Sequence, residues 1–164
     1  MTRIGVLSDT HGLLRPEVFD VFSGVDLIIH AGDIGPIGLL DELRAIAPVR
    51  AVWGNTDGFD VRHRVPEIIQ EEIEGLSFVV AHGHQLGSPT PENLTTRWPD
   101  ALVLIYGHTH RPLLTLVDSV VTVMNPGGAG QRRFDLPPSV GILELEPGIP
   151  PRGRLVPLLA AGED

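Results

Sequence analysis

Short apolar runs, each closing on a cluster of polar residues, set the rhythm of this 164-residue chain. Residues 3–8 read as a buried strand, and a loop leads from it to a short helix over about 15–23, with Pro16 suited to the first turn. Residues 26–30 form a second apolar strand. Over 36–47 the side chains of Leu39, Leu40, Leu43 and Ile46 fall on one helical face, and 49–53 is a third strand. The opening third is therefore strand-helix-strand-helix-strand, which predicts a parallel sheet with right-handed crossovers.

The character then changes. Residues 67–73 and 76–81 alternate as a hairpin turning at Glu74-Gly75. A short helix opens at Thr90-Pro91 and runs to Trp98, 101–106 is a strongly apolar strand, and 113–117 pairs with 120–124 across Asp118-Ser119. Residues 140–145 and 154–159 supply late strands. No repeat, low-complexity tract or flexible linker interrupts the chain. The expectation is one α/β domain over 1–164 with two sheets, parallel early and antiparallel late.

Composition narrows the class. Hydrophobic residues make up 42% and charged residues 20%, which is the balance of a folded domain with its own core, not of a disordered chain. The absence of cysteine excludes disulfides, thiolate metal sites and a cysteine nucleophile, and agrees with a reducing compartment. The apolar run at the start is too short for a secretory segment and no stretch approaches a membrane span, so the expected address is cytoplasmic, with no membrane partner. Net charge is −9 and all 12 basic residues are arginine. Such a surface repels a nucleic-acid backbone at long range, which argues against non-specific nucleic-acid binding. Bound divalent cations would reverse the sign locally, where an anionic substrate would sit.

The polar clusters carry the chemistry. The first strand ends on Asp9-Thr10-His11, the second on Gly32-Asp33 and the third on Gly54-Asn55-Thr56-Asp57. The hairpin's second strand ends on His82-Gly83-His84, and the next on Gly107-His108-Thr109-His110. Ligands of open α/β sheets bind at the carboxyl ends of strands, so five clusters at five strand ends point to one site. Carboxylate, amide oxygen and imidazole together suit manganese, iron, zinc or nickel better than calcium. A carboxylate has two oxygens and can bridge two ions. One bridging aspartate with three further ligands on each side accounts for seven residues. Each motif alone is weak, since Gly-Asp and Asp-x-His are common in turns and caps; their joint occurrence in order is what carries weight.

The motifs SDTHG, AGD, GNTD, AHGH and GHTHRP span residues 8–112, and MNPGG follows at 124–128. In these the chain resembles the calcineurin-like metallophosphoesterase superfamily, and within it the small bacterial and archaeal phosphodiesterases. The resemblance implies a four-layer α/β/β/α sandwich of two mixed sheets flanked by helices. It implies two divalent metal ions, manganese first and otherwise iron, zinc, nickel or cobalt. One is held by Asp9, His11, Asp33 and His110, the other by Asp33, Asn55, His82 and His108. The implied activity is hydrolysis of small or nucleotide-like phosphodiesters by a metal-activated hydroxide, with Asp33 and Asn55 part of the catalytic apparatus and a small-molecule phosphoester as partner. The alternatives are a phosphomonoesterase and a non-catalytic scaffold of the retromer-subunit type, against which the intact ligand set weighs. Assembly into a homo-oligomer stays open.

Two positions depart from the family pattern. Where many members carry a histidine that can protonate the leaving group, this chain has Thr56, a poor general acid. That favours esters with good leaving groups or a donor from elsewhere, with His84 the nearest candidate. Gly128 stands where relatives often have serine, and Arg132 and Arg133 beyond it are candidates to grip a substrate phosphate. His30 reads as a hydrogen-bonded interior residue, Asp57 as a support for the site, and His63 as solvent-facing in a loop. For Trp53 and Phe59 core packing is expected over a pocket role.

Overall fold

Strands buried on both faces need apolar side chains at successive positions, and this is why the early runs show no alternation. In the computed structural model, which describes residues 1–133 and 135–158, they are β1 (Thr2–Leu7), β2 (Leu27–His30) and β3 (Val49–Ala51). Next in the chain come β4 (Ile68–Ile73), β5 (Leu76–Ala81) and β6 (Val103–Ile105), then β7 (Leu113–Val117), β8 (Val121–Asn125), β9 (Ser139–Glu146) and β10 (Ile149–Pro157). Four α-helices lie among the described residues: α1 (Glu17–Val21), α2 (Gly38–Arg44), α3 (Phe59–Arg64) and α4 (Pro91–Arg97).

Two five-stranded mixed sheets result, in the orders β10-β9-β1-β2-β3 and β4-β5-β6-β8-β7. Neighbouring positions along a strand supply different cores. Ile4, Val6, Ile29, Phe78, Val80, Val103, Ile105, Met124 and Leu143 meet between the sheets. Leu7, Ile28, Val140 and Ile142 pack instead with Leu39, Leu40 and Leu43 of α2 and Val18 of α1. Val79, Leu104 and Val123 pack with Leu94 and Trp98 at α4. Three cores between four layers give the α/β/β/α sandwich. Within the first of the helix-facing cores Phe22 lies flat on Gly5, where a Cβ would come within 2.8 Å of the ring. Loss of that fully buried side chain would cost about 3–5 kcal/mol.

The expected parallel order holds for β1, β2 and β3, and β9 and β10 add to that sheet antiparallel. The second sheet is not simply antiparallel. β5, β6 and β8 run parallel at its centre, flanked by β4 and β7 as hairpin partners. Both turns sit where expected, with Glu74, Gly75, Asp118 and Ser119 all at positive φ. The first two helices are shorter than their apolar spacing suggests, because their ends are single turns, such as Ile46 N–H to Leu43 O at 2.9 Å. Helix α3 falls where a loop is expected. Val61 is its one buried residue, so no apolar stripe announces it. β10 starts five residues before the expected 154, and Leu159 lies outside the described residues. Helix α4 begins at a Thr90 cap closed reciprocally by Asn93. None of the described helices is long and apolar enough to cross a membrane.

Candidate metal centre

The parallel strands of both sheets end on the same edge of the sandwich, and the loops that leave them carry the candidate ligands. Asp9 follows β1, Asp33 follows β2, Asn55 follows β3, His82 directly follows β5, and His108 and His110 follow β6. Five of the seven have left-handed backbone: Asp9 (φ 55°), His11 (45°), Asp33 (55°), His108 (69°) and His110 (59°). Such a φ is sterically disfavoured for residues with a Cβ and concentrates at functional sites. Close approach is secured by glycine at two points. A Cβ on Gly107 would lie 2.6 Å from Asp9 Oδ2, and one on Gly54 would strike the Asp33 carboxylate.

Asp9 is the hub. Its Oδ1 lies 3.2 Å from His110 Nε2, 3.7 Å from His11 Nε2 and 3.8 Å from His82 Nε2. Asp33 Oδ2 lies 3.2 Å from His82 Nε2 and 3.8 Å from His11 Nε2. His11 and His110 stack with their Nε2 atoms 3.4 Å apart. Asn55 Oδ1 is 3.2 Å from His108 Nδ1, and the His108 ring meets His82 edge-on at 5.2 Å. Two groups thus gather enough donors for a cation, Asp9 with His11 and His110, and Asp9 with Asp33 and His82. All seven candidate ligands are brought together. The buried carboxylates lie at the bottom, with Asn55 exposed and His11, His108 and His110 half-buried above them.

His82 provides the test of fit. Its Nδ1 lies 2.8 Å from the Ala31 carbonyl, which only accepts, so in the neutral ring the hydrogen is on Nδ1 and Nε2 is left to offer its lone pair to a cation. That lone pair faces the two aspartates. Both Asp9 Oδ1 and His82 Nε2 are buried without a hydrogen-bond partner, an arrangement that buried polar groups avoid unless a cation completes it. The donor set fits first-row divalent metals. Electrostatics agree. Burial works to raise the pKa of Asp9, yet the His11 and His110 imidazoles beside it and the charge of His82 outweigh it and hold the carboxyl far below the usual range. Asp33 is likewise opposed by burial but lowered to about 2 by His82 and by the Thr56 N–H. Burial would also lower His82, but the Asp33 carboxylate 3.2 Å away and the charge of Asp9 prevail and raise it.

Other residues hold the ligands in place. Asp57 accepts from the N–H groups of Ile34, Gly35 and Gly54, tying the second loop to the third. His30, fully buried and lowered by that burial to about 3, accepts from Gly32 N–H and meets Thr10 Oγ1 at 3.0 Å. Both fulfil the supporting roles expected of them. Three positioning residues escape a reading of the sequence. Ser8 Oγ donates to Asp9 Oδ2 at 2.6 Å. Asn125 Nδ2 donates to Gly107 O and Thr109 Oγ1, steadying the loop that carries two histidines. Arg62 donates to the carbonyls of Asp57 and Asn55 and lies over the Trp53 ring at 4.3 Å. The motif around Asn125 is visible in the chain, but nothing local signals the hydroxyl of Ser8 or a partner for Arg62.

The remaining candidates separate. His84 joins the site, 5.6 Å from His82 and 5.5 Å from Trp53, with a buried Nδ1 that no protein atom satisfies, and burial lowers its pKa. Arg133 lines a small cleft with His110, Gly128 and Leu136, whereas Arg132 is exposed and donates to Asp135 O at 3.4 Å. Trp53 packs against the core. Phe59 does not: it is 79% exposed, because α3 turns only Val61 inward. His63 is exposed as expected, though on a helix, and stacks on Phe59.

Comparison with known proteins agrees with this picture. Residues 2–148 match the family model described as the calcineurin-like phosphoesterase superfamily domain. The chain is 38% identical over 153 residues to a probable metallophosphoesterase of Methanothermobacter thermautotrophicus, covering 87% of this chain and 86% of that protein. Among solved structures, an archaeal phosphodiesterase superposes with a TM-score of 0.74 at 28% identity, covering 94% of this chain and all of that one. Vps29 of Entamoeba histolytica complexed with zinc gives 0.76 at 24% identity, covering 95% and 99%. The last likeness is one of fold.

Proposed function

Since the chain belongs to the calcineurin-like phosphoesterase superfamily, we propose that this phosphoric ester hydrolase is a dinuclear-metal phosphodiesterase acting on small or nucleotide-like esters. The observation that carries the proposal is the convergence of Asp9, Asp33 and His82 on one buried point, where Asp9 Oδ1 and His82 Nε2 have no hydrogen-bond partner. Asp9, His11, Asp33 and His110 would hold one divalent cation and Asp33, Asn55, His82 and His108 the other, with manganese the first candidate. When bound, such ions neutralise phosphoryl oxygens and make a water nucleophilic at neutral pH.

The protein's own part is to fix geometry. Thr56 gives its backbone N–H to Asp33 Oδ1 at 3.0 Å, leaving the second carboxylate oxygen for His82 and the cations. Its hydroxyl is no general acid, so no proton is delivered from that loop. His84 lies beside the site, and to protonate the departing oxygen it would have to carry a proton on both ring nitrogens, a state its burial opposes. The reading supports diesters with good leaving groups over monoesters. A scaffold role of the Vps29 kind has only the shared fold in its favour.

With added Mn²⁺ the protein should hydrolyse bis(p-nitrophenyl) phosphate faster than p-nitrophenyl phosphate. Asp33→Asn should lower that rate by roughly 10²–10³-fold or more. No turnover with any divalent metal, from folded and metal-loaded protein, would sink the enzyme reading and leave the scaffold.

A further inference from the structure

Beside the ligand loops lies a cleft of about 280 Å³ between residues 35–37 and 58–61. One wall starts two residues after Asp33 and the other three residues after Asn55, so the cleft lies within about 11 Å of chain from both. Its walls are fixed to each other: Ile34 and Gly35, beside the first wall, donate their N–H groups to the carboxylate of Asp57, beside the second, at 2.9 and 3.1 Å.

Phe59 is not explained by folding, and Gly58, the N-cap of α3, leaves open space beside it. Phe59 is 79% exposed and contributes nothing to a core, yet its ring is held by a stack on His63, with centroids 5.4 Å apart and planes 15° from parallel. Gly58 has φ −88° and ψ −172°, extended backbone that any residue adopts, and a Cβ there would meet nothing within 4 Å. The fold would accept a side chain at 58 and a polar residue at 59. An aromatic platform beside a missing side chain is what a site for a flat group requires. The volume falls just short of the roughly 300–1,000 Å³ of drug-sized sites, which leaves room for one ring system. Asp60 is the one charged side chain of the lining, and Arg62 is engaged with the Asn55 and Asp57 carbonyls, so a second phosphate finds no cation here.

We propose that this cleft is the specificity subsite of the metal centre, taking one uncharged aromatic ring or base of the phosphoester, with Phe59 as its stacking platform and Gly58 as its open side. The inference rests on the phosphodiesterase reading for its substrate, but not for its test. Calorimetry on the Mn²⁺-loaded protein would compare phenyl phosphate with inorganic phosphate, which carries no ring. Wild type should bind phenyl phosphate about tenfold more tightly. Phe59→Ala and Gly58→Leu should each abolish that preference and leave phosphate binding unchanged, while Phe59→Trp should retain it. The KM for bis(p-nitrophenyl) phosphate should rise about tenfold in the first two variants with kcat held. Equal binding of the two ligands by wild type would overturn the proposal, as would a preference that survives both substitutions or phosphate binding that weakens in parallel. Absence of turnover in wild type would count against the phosphodiesterase reading alone, since the binding comparison stands without it.

Discussion

Among the described residues, left-handed backbone at residues other than glycine falls into two quite different settings, with Asp135 outside both. At the β4–β5 and β7–β8 turns it is held by Glu74, Asp118 and Ser119. There it follows from strand twist, which tight hairpin turns match with positive φ. At the other end of the sandwich it is held by Asp9, His11, Asp33, His108 and His110. No hairpin demands it there. Five such residues cost on the order of 5–10 kcal/mol together, a sum comparable with the net stability of a whole domain. The same backbone state is a consequence of architecture in one region and a cost carried for ligand geometry in the other.

The comparison can be broken at its supports. Asn125→Ala removes the tether of the His108 and His110 loop, the side-chain amide that donates to both Gly107 O and Thr109 Oγ1. Activity or metal affinity should fall about 10–100-fold, as for other groups that orient metal ligands. At the hairpin the corresponding tether is Thr2 Oγ1 to Glu74 Oε1 at 2.9 Å, on the surface. Thr2→Val should change stability by about 0.5 kcal/mol or less and leave activity alone. Equal losses from both substitutions, measured by turnover and by denaturant titration, would erase the distinction.

Glycine sharpens it at smaller scale. Ser119→Gly should raise stability by about 1 kcal/mol with turnover unchanged. His11→Gly should leave the metal-free protein more stable than His11→Ala by a similar margin, since only glycine accepts φ 45° without strain, yet both should be inactive. Thermal melts of the four proteins in chelator decide this. A His11→Ala variant as stable as His11→Gly would show that the ligand loops carry no strain.

How far the chain discloses all this varies with the physics involved. Strand positions and the site's location were legible because apolar runs and the polar clusters that end them are local signals. The parallel core of the second sheet was not, since β8 inserts between β6 and its own hairpin partner β7 and no local pattern encodes that order. Helix α3 was missed because six residues with one buried side chain have no period to detect. The candidate ligands could be named from the motifs and the family they resemble. The strain at five of them depends on φ angles, and the orphaned Nε2 of His82 and the tether from Asn125 on contacts between separate segments, which single residues do not announce. Phe59 misled for a plain reason: hydrophobic side chains are usually buried, and the exceptions are the informative ones.

The central claim is that seven side chains hold two cations around Asp33. Its most direct measurement is the metal content of the protein after equilibrium dialysis against Mn²⁺, for wild type and for Asp33→Asn, His11→Ala and His82→Ala. The account predicts about two ions per chain in wild type, with His11→Ala and His82→Ala each weakening one site and Asp33→Asn weakening both, as expected when a bridging oxygen ligand is lost. One ion per chain in wild type, or an Asp33→Asn protein that retains two, would contradict it.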